Sequence, residues 1–183
     1  MRTWITGGLL AALAWTAHAE ERRELGAHEH GHARLNLAIE GSALALEIEA
    51  PGMDVLGFEH PARSEQDKAA VEAAKATLAD PLALFVPPTA AGCRAVEAAV
   101  DLLQEAHEGE SHTDHSDEPP HSEFRGRYAV ECGDPDALSQ LAFIWFDRFP
   151  NARAVTVTVL DVRGQSSREV ERGDPPLAIG AGS

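Results

Sequence analysis

Apolar and polar residues alternate on both sides of a two-residue turn near the start of the chain. The stretches "ARLNLAIE" (33–40) and "ALALEIEA" (43–50) flank Gly41 and Ser42. Alternation with period two places every second side chain on one face of a strand, and a short polar turn joins antiparallel neighbours. The sequence therefore predicts a β-hairpin with one buried face, against which the rest of the chain must pack.

The next segments carry one helix pattern and two or three strand patterns. Ser64 with Asp67 three residues later is a variant of the capping box, so we predict a helix that ends before Pro81, followed by a short strand in "PLALFVPP" (81–88). The segment "CRAVEAAVDLLQE" (93–105) fits a strand or a helix. We favour a strand, because "FRGRYAVEC" (124–132) has the pattern of its hairpin partner.

The last third of the chain predicts a second helix and a strand. Asp134 and Pro135 start a helix that stops at Pro150, and "ARAVTVTVLDV" (152–162) is a β-branched, alternating strand. The apolar stripe of this helix consists of five residues: Leu138, Leu141, Ala142, Trp145 and Phe149. We interpret the aromatic residues Trp145, Phe146 and Phe149 as part of the core.

This order of elements predicts an α+β fold made of two ββαβ-like units. Each unit would have an antiparallel sheet with one helix packed on it, the first over residues 20–90 and the second over residues 91–183. The boundary falls near residues 88–92. A flexible hairpin loop rich in His, Asp and Glu, residues 104–123, interrupts the second unit.

Residues 1–19 have the pattern of a secretory signal peptide. Arg2 precedes an apolar run over residues 5–17 that is short for a membrane span, and Ala17 and Ala19 form a cleavage site. Cleavage after Ala19 would change the formal net charge from −15 to −16, because Arg2 is removed. We expect a periplasmic protein without stable membrane insertion, whose acidity disfavours nucleic acid and favours cations and basic partners.

The chain has two cysteines, Cys93 and Cys132. An even number of cysteines in an oxidising compartment predicts a disulfide between them. Two thiolate metal ligands are the alternative, which is weak because neither residue belongs to a C-x-x-C pair.

The insert between the strands of the second hairpin is rich in metal-binding side chains. "QEAHEGESHTDHSDEPPH" (104–121) has no Lys, no Arg and no apolar face, so we expect it to be mobile. Imidazoles suit Zn²⁺, and carboxylates can complete its coordination. We predict metal capture, rather than a merely solvated acidic loop, by His107, His112, Asp114, His115 and His121.

A second group of histidines leads into the first strand: His28, His30 and His32. On a straight strand, neighbouring members would be about 6.6–6.8 Å apart and the outer two about 13 Å apart. Two neighbours could therefore share an ion, and all three could do so only if Gly31 permits a bend. The alternative is a polar lead-in to the sheet.

The loop after the first hairpin offers further ligands. Glu59 and His60 in "GFEHPAR" are the best candidates, and Asp54 is a weaker one. A lone loop histidine such as His60 can instead hydrogen-bond a backbone carbonyl.

These features together resemble the ZrgA-type periplasmic zinc-binding proteins. The resemblance rests on the signal peptide, "HEHGHARLNLAIEG", "APGMDVLGFEHPA", the cysteines around a histidine-rich insert, and "WFDRFPNARAVTVTVL" followed by "GQ". It implies a zinc-handling role beside periplasmic zinc import, with histidines as ligands. The insert departs from the family pattern, because it is short and has only four histidines.

We therefore expect a non-catalytic protein that captures, buffers or delivers Zn²⁺. An importer of the ABC-transporter class, or its solute-binding protein, would be the partner. A zinc-dependent hydrolase that uses an H-x-H pair with Glu59 as general base is the alternative. None of the predicted helices contains an H-E-x-x-H motif, however, and the chain has no nucleophile motif. A purely structural domain with incidental histidines is a third interpretation.

Overall fold

A computed structural model describes residues 31–104 and 121–179. Its helices are α1 (Gly52–Leu56), α2 (Glu65–Leu78), α3 (Pro81–Leu84) and α4 (Trp145–Arg148). Its strands are β1 (His32–Glu40), β2 (Ala43–Pro51), β3 (Phe85–Val86), β4 (Cys93–Gln104), β5 (Ser122–Cys132), β6 (Gln140–Phe143), β7 (Ala154–Asp161), β8 (Gly164–Glu171) and β9 (Leu177–Ala178).

Six strands form one mixed sheet in the order β4-β5-β2-β1-β7-β8. All neighbours are antiparallel except β1 and β7, which are parallel, with His32 opposite Ala154. The short strands β3, β6 and β9 form a second, three-stranded arrangement. The parallel pair joins the beginning of the described chain to its last third.

The expected α+β fold of two ββαβ-like units is wrong. Strands make up 49% of the described residues, and helices together with the 3₁₀ turns at Thr89–Ala91 and Pro135–Ala137 make up 25%. Strands from both expected units share the large sheet. The cause is pairing between the halves: β2 pairs with β5, and β1 pairs with β7. Sequence alternation shows which residues form strands, whereas these partners are determined by packing over long range.

The helix expected from Asp134 to Pro150 is also wrong. This segment contains a 3₁₀ turn at Pro135–Ala137, strand β6 and the four-residue helix α4. Leu141 and Phe143 alternate on β6, which pairs with β3 and β9. The spacing of the apolar residues fits both a helix and a strand. The segment forms a strand because this strand completes the small sheet. Similarly, "PLALFVPP" begins as α3 and only then becomes β3.

Several local predictions are confirmed. The first hairpin turns at Gly41 and Ser42, and β4 and β5 form the second hairpin. Ser64 caps α2 with a complete capping box, in which hydrogen bonding with Ser64 lowers the pKa of Asp67. A disulfide joins Cys93 to Cys132, which face each other across the second hairpin.

The core lies on one face of the large sheet. Leu35, Leu37 and Ile48 on this face are at most 1% exposed, and they cluster with buried residues of α2. The ring of Trp145 stacks on that of Phe85 at a centroid distance of 5.8 Å and is fully buried, which confirms that the aromatic stripe is core. The opposite face of the sheet carries polar side chains, and we call it the outer face.

None of the helices formed by the described residues has the length and hydrophobicity that a bilayer-spanning segment needs.

Candidate metal centre

One contact joins the histidine-rich insert to the loop that follows the first hairpin. Glu59 lies in the loop after α1, and His121 immediately precedes β5. Glu59 Oε2 lies 3.2 Å from His121 Nδ1, and the Glu59 side chain is only 7% exposed while that of His121 is 28% exposed. The two residues are 62 positions apart in sequence, so this pair is a product of the fold.

The pair has the chemistry of a metal centre in two ways. Carboxylate oxygen and imidazole nitrogen are both zinc ligands. Alternatively, a protonated Nδ1 donates to the carboxylate, which fixes the ring and leaves Nε2 free of its proton as a ligand. In either arrangement, the partial burial of the pair strengthens its electrostatic interaction.

Asp54 links the same loop region to the start of β1. It lies in α1, is 1% exposed, and its Oδ1 accepts a hydrogen bond of 2.6 Å from the backbone N–H of Gly31. Gly31 is the residue between His30 and His32 in the sequence. Gly31 is therefore hydrogen-bonded to α1, the helix that precedes the loop of Glu59.

His32 lies on the outer face of the sheet, at the first position of β1. Its Nδ1 is 3.8 Å from Glu169 Oε2, with side-chain exposures of 34% and 50%. Strands β1 and β5 both run antiparallel to β2, so His32 and His121 lie at the same end of the sheet. The structure nevertheless shows His32 beside a different carboxylate from the one beside His121.

His60 is exposed and contacts its own loop. Its ring stacks on Phe58 at a centroid distance of 4.5 Å, and its Nδ1 lies 3.2 Å from the carbonyl oxygen of Pro61. Glu59 and His60 are adjacent in sequence but contact different residues.

A buried ion pair that follows His121 along the chain was not anticipated from the sequence. Glu123 is 1% exposed, and its Oε1 accepts a hydrogen bond of 3.0 Å from Arg125 Nη2, which also lies 3.1 Å from Glu49. Glu123 follows His121 by two residues. The signal was present in "SEFRGRY", where charged residues alternate with Phe124, Gly126 and Tyr128, but alternation alone predicts an exposed glutamate there.

The described residues bring together two of the predicted metal ligands, Glu59 and His121. Within 31–104 and 121–179, no group of three or more His, Cys, Asp or Glu side chains could hold a metal ion. The other candidates lie outside the described residues: His28, His30, His107, His112, Asp114 and His115. We call the pair Glu59 and His121 the metal corner.

Fold and corner together define a small β-sheet protein with imidazole and carboxylate groups of the kind that bind zinc. Residues 27–179 match the family described as ZrgA family zinc uptake protein, so the chain belongs to the ZrgA family. No curated protein matches the chain. The resemblance seen in the sequence is confirmed, and it supports a zinc-related role for the protein.

Proposed function

We propose that this protein binds Zn²⁺ at the metal corner in the periplasm and buffers or delivers the ion for import. The contact between Glu59 and His121 carries the proposal, because it brings the end of the insert to the loop after the first hairpin. Zinc is the cargo in this scheme and undergoes no reaction.

The two histidine groups of the sequence would complete the coordination. His121 and Glu59 offer up to two ligands, and four ligands are usual for protein-bound zinc. His28 and His30 precede Gly31, whose backbone is attached to Asp54. We propose these two imidazoles as the remaining ligands of the ion held at the corner.

The insert would capture ions and pass them to the corner. β4 and β5 are paired up to Gln104 and Ser122, so the insert leaves and returns at the end of the sheet where His121 lies. His107, His112, Asp114 and His115 are proposed as capture ligands. The formal net charge of −15 would raise the local concentration of divalent cations.

Two features support a periplasmic location. The first 19 residues have the pattern of a signal peptide, and the Cys93–Cys132 disulfide suits an oxidising compartment. We further propose the solute-binding protein of a zinc-uptake ABC transporter, or the transporter itself, as the partner that receives the ion.

A non-catalytic role agrees with the placement of Glu59. A zinc hydrolase needs an open coordination position and a general base beside the bound water. Glu59, the candidate base, instead contacts His121 and is almost fully buried. This arrangement favours holding an ion over activating a water molecule.

Zinc titration of the tag-free protein against a competing chelator tests the proposal. We expect stoichiometric binding at pH 7.5 that His121→Ala and Glu59→Gln each weaken. Glu72→Gln is the matched control, because Glu72 is exposed on α2 and pairs only with Lys75 among the described residues. The proposal fails if the unaltered protein does not bind zinc, or if all three variants bind it equally well.

A further inference from the structure

Gly52 lies where β2 ends and α1 begins, beside the start of β5. The two strands are paired up to Pro51 and Glu123, so the next register position sets Gly52 opposite Ser122. Both Gly52 and Ser122 are buried. Ser122 directly follows His121 in the sequence. Gly52 therefore packs against the chain neighbour of one member of the metal corner.

A second contact of Gly52 involves the loop after α1. This helix has only five residues and ends at Gly57, where a φ of +81° turns the chain. The carbonyl oxygen of Phe58 lies close to Gly52, at 3.2 Å from the position that a Cβ atom on Gly52 would take. Phe58 directly precedes Glu59. Gly52 thus also packs against the chain neighbour of the other member of the corner.

The space around Gly52 leaves no room for a side chain. A Cβ atom there would overlap the Ser122 hydroxyl and would lie 3.3 Å from Ser122 Cβ. Rotation of the hydroxyl would relieve the overlap, but the close contacts with Ser122 Cβ and the Phe58 carbonyl oxygen would remain. Because neither of these two atoms is the end of a flexible side chain, the start of β5 and the loop would have to move apart by a few tenths of an ångström.

We infer that Gly52 is a positioning residue for zinc binding, an inference that rests on the proposed function. Its missing side chain lets two chain segments approach one point, and each segment carries a group of the corner on the adjacent residue. His121 Nδ1 and Glu59 Oε2 lie 3.2 Å apart in this arrangement. Binding groups must be held within about 0.5 Å of their working geometry, so separation of the segments should lower zinc affinity. Gly52 acts through packing and contributes no ligand.

Gly52→Ala tests this inference directly. We expect zinc affinity to fall about tenfold in chelator competition at pH 7.5, because the ligands are displaced. The double variant with Gly52→Ala and Ser122→Gly removes both Ser122 atoms that the methyl group would meet, and it should bind zinc within about threefold of Ser122→Gly alone. Gly133→Ala is the matched control, because neither glycine has a positive φ and a Cβ atom on Gly133 would lie 3.7 Å from the carbonyl oxygen of Gly92, an ordinary contact.

The nitrogen NMR signal of the His121 ring in the zinc-free protein distinguishes positioning from a general loss of stability. In Gly52→Ala, the Nδ1 resonance should move toward its position in Glu59→Gln, because both substitutions weaken the contact with the carboxylate. It should return in the double variant with Ser122→Gly. If Gly52→Ala does not fold, combining it with Ser122→Ala removes the hydroxyl but keeps the two other close contacts, and we expect affinity about threefold below that of Ser122→Ala alone.

The outcomes separate this inference from the proposed function. Unchanged zinc affinity in Gly52→Ala would overturn the inference, as would equal affinity of Ser122→Ala with and without Gly52→Ala, while the proposed function would stand. A loss of affinity that Ser122→Gly does not restore, with the His121 resonance unmoved, would also overturn the inference, because Gly52 would then serve only the stability of the fold. If the unaltered protein binds no zinc, the proposed function itself fails.

Discussion

Two imidazole–carboxylate pairs lie at the same end of the large sheet and differ in their surroundings. His121 is 3.2 Å from Glu59, whose side chain is 7% exposed. His32 is 3.8 Å from Glu169, and both side chains are at least one-third exposed. Water and salt screen the second pair, whereas the first lies where electrostatic interactions are stronger. The two pairs contain the same residue types. The burial of the carboxylate, rather than residue type, therefore distinguishes the candidate site from the pair on the outer face.

Removal of the imidazoles should give the largest difference. We expect His121→Ala to weaken zinc binding by about a hundredfold, because it removes an imidazole ligand from the corner. His32→Ala should weaken binding by less than about tenfold, because its ring lies beside an exposed carboxylate. Chelator competition at pH 7.5 measures both. Equal losses of zinc affinity in the two variants would show that the two imidazole–carboxylate pairs do not differ in zinc binding.

Acidification should also weaken zinc binding strongly. Zinc requires neutral imidazole, and free imidazole titrates near pH 6.5, so lowering the pH from 7.5 to 5.5 should reduce affinity by about tenfold for each coordinating imidazole. Affinity is thus retained above this range and lost as the pH falls through it. For His121→Ala, the same titration should show a smaller decrease in zinc affinity between pH 7.5 and pH 5.5. Equal affinity at the two pH values would reject imidazole ligation altogether.

Substitution of the carboxylates should lower zinc affinity in the same order as substitution of the imidazoles, but by smaller factors. Glu59→Gln keeps the shape of the side chain but removes its charge, and we expect an approximately tenfold loss of zinc affinity. Glu169→Gln should change zinc affinity by less than about twofold and the free energy of unfolding by less than about 0.5 kcal/mol, as for other exposed pairs. Isothermal titration and urea unfolding of the two variants measure these values. A larger effect at Glu169 would move the site to the outer face.

Local patterns predicted five of the six strands of the large sheet: β1, β2, β4, β5 and β7. β1, β2, β5 and β7 alternate clearly, and the structure contains them. β8 was missed because seven of its eight residues are exposed, so the sequence "GQSSREVE" carries no apolar period. Its partner β7 supplies the pairing that the sequence does not indicate.

The sequence predicted which side chains belong to the candidate site, but it did not predict which of them lie together. Glu59 and His121 were both predicted as ligands, but in different clusters. Their contact depends on the pairing of β2 with β5, which places Pro51 opposite Glu123 and so brings the loop after β2 toward the start of β5. Pairing between strands so far apart in sequence has no local signature.

The parallel pairing of β1 with β7 determines when the start of β1 is fully held in place. The carbonyl oxygen of Gly31 is held by Arg153 and Ala154, which are synthesised long after the first histidines. Closing so long a stretch of chain is slow, because its entropy is lost before the contacts repay it. A chain that stops short of β7 would therefore lack both of the hydrogen bonds that the carbonyl oxygen of Gly31 accepts.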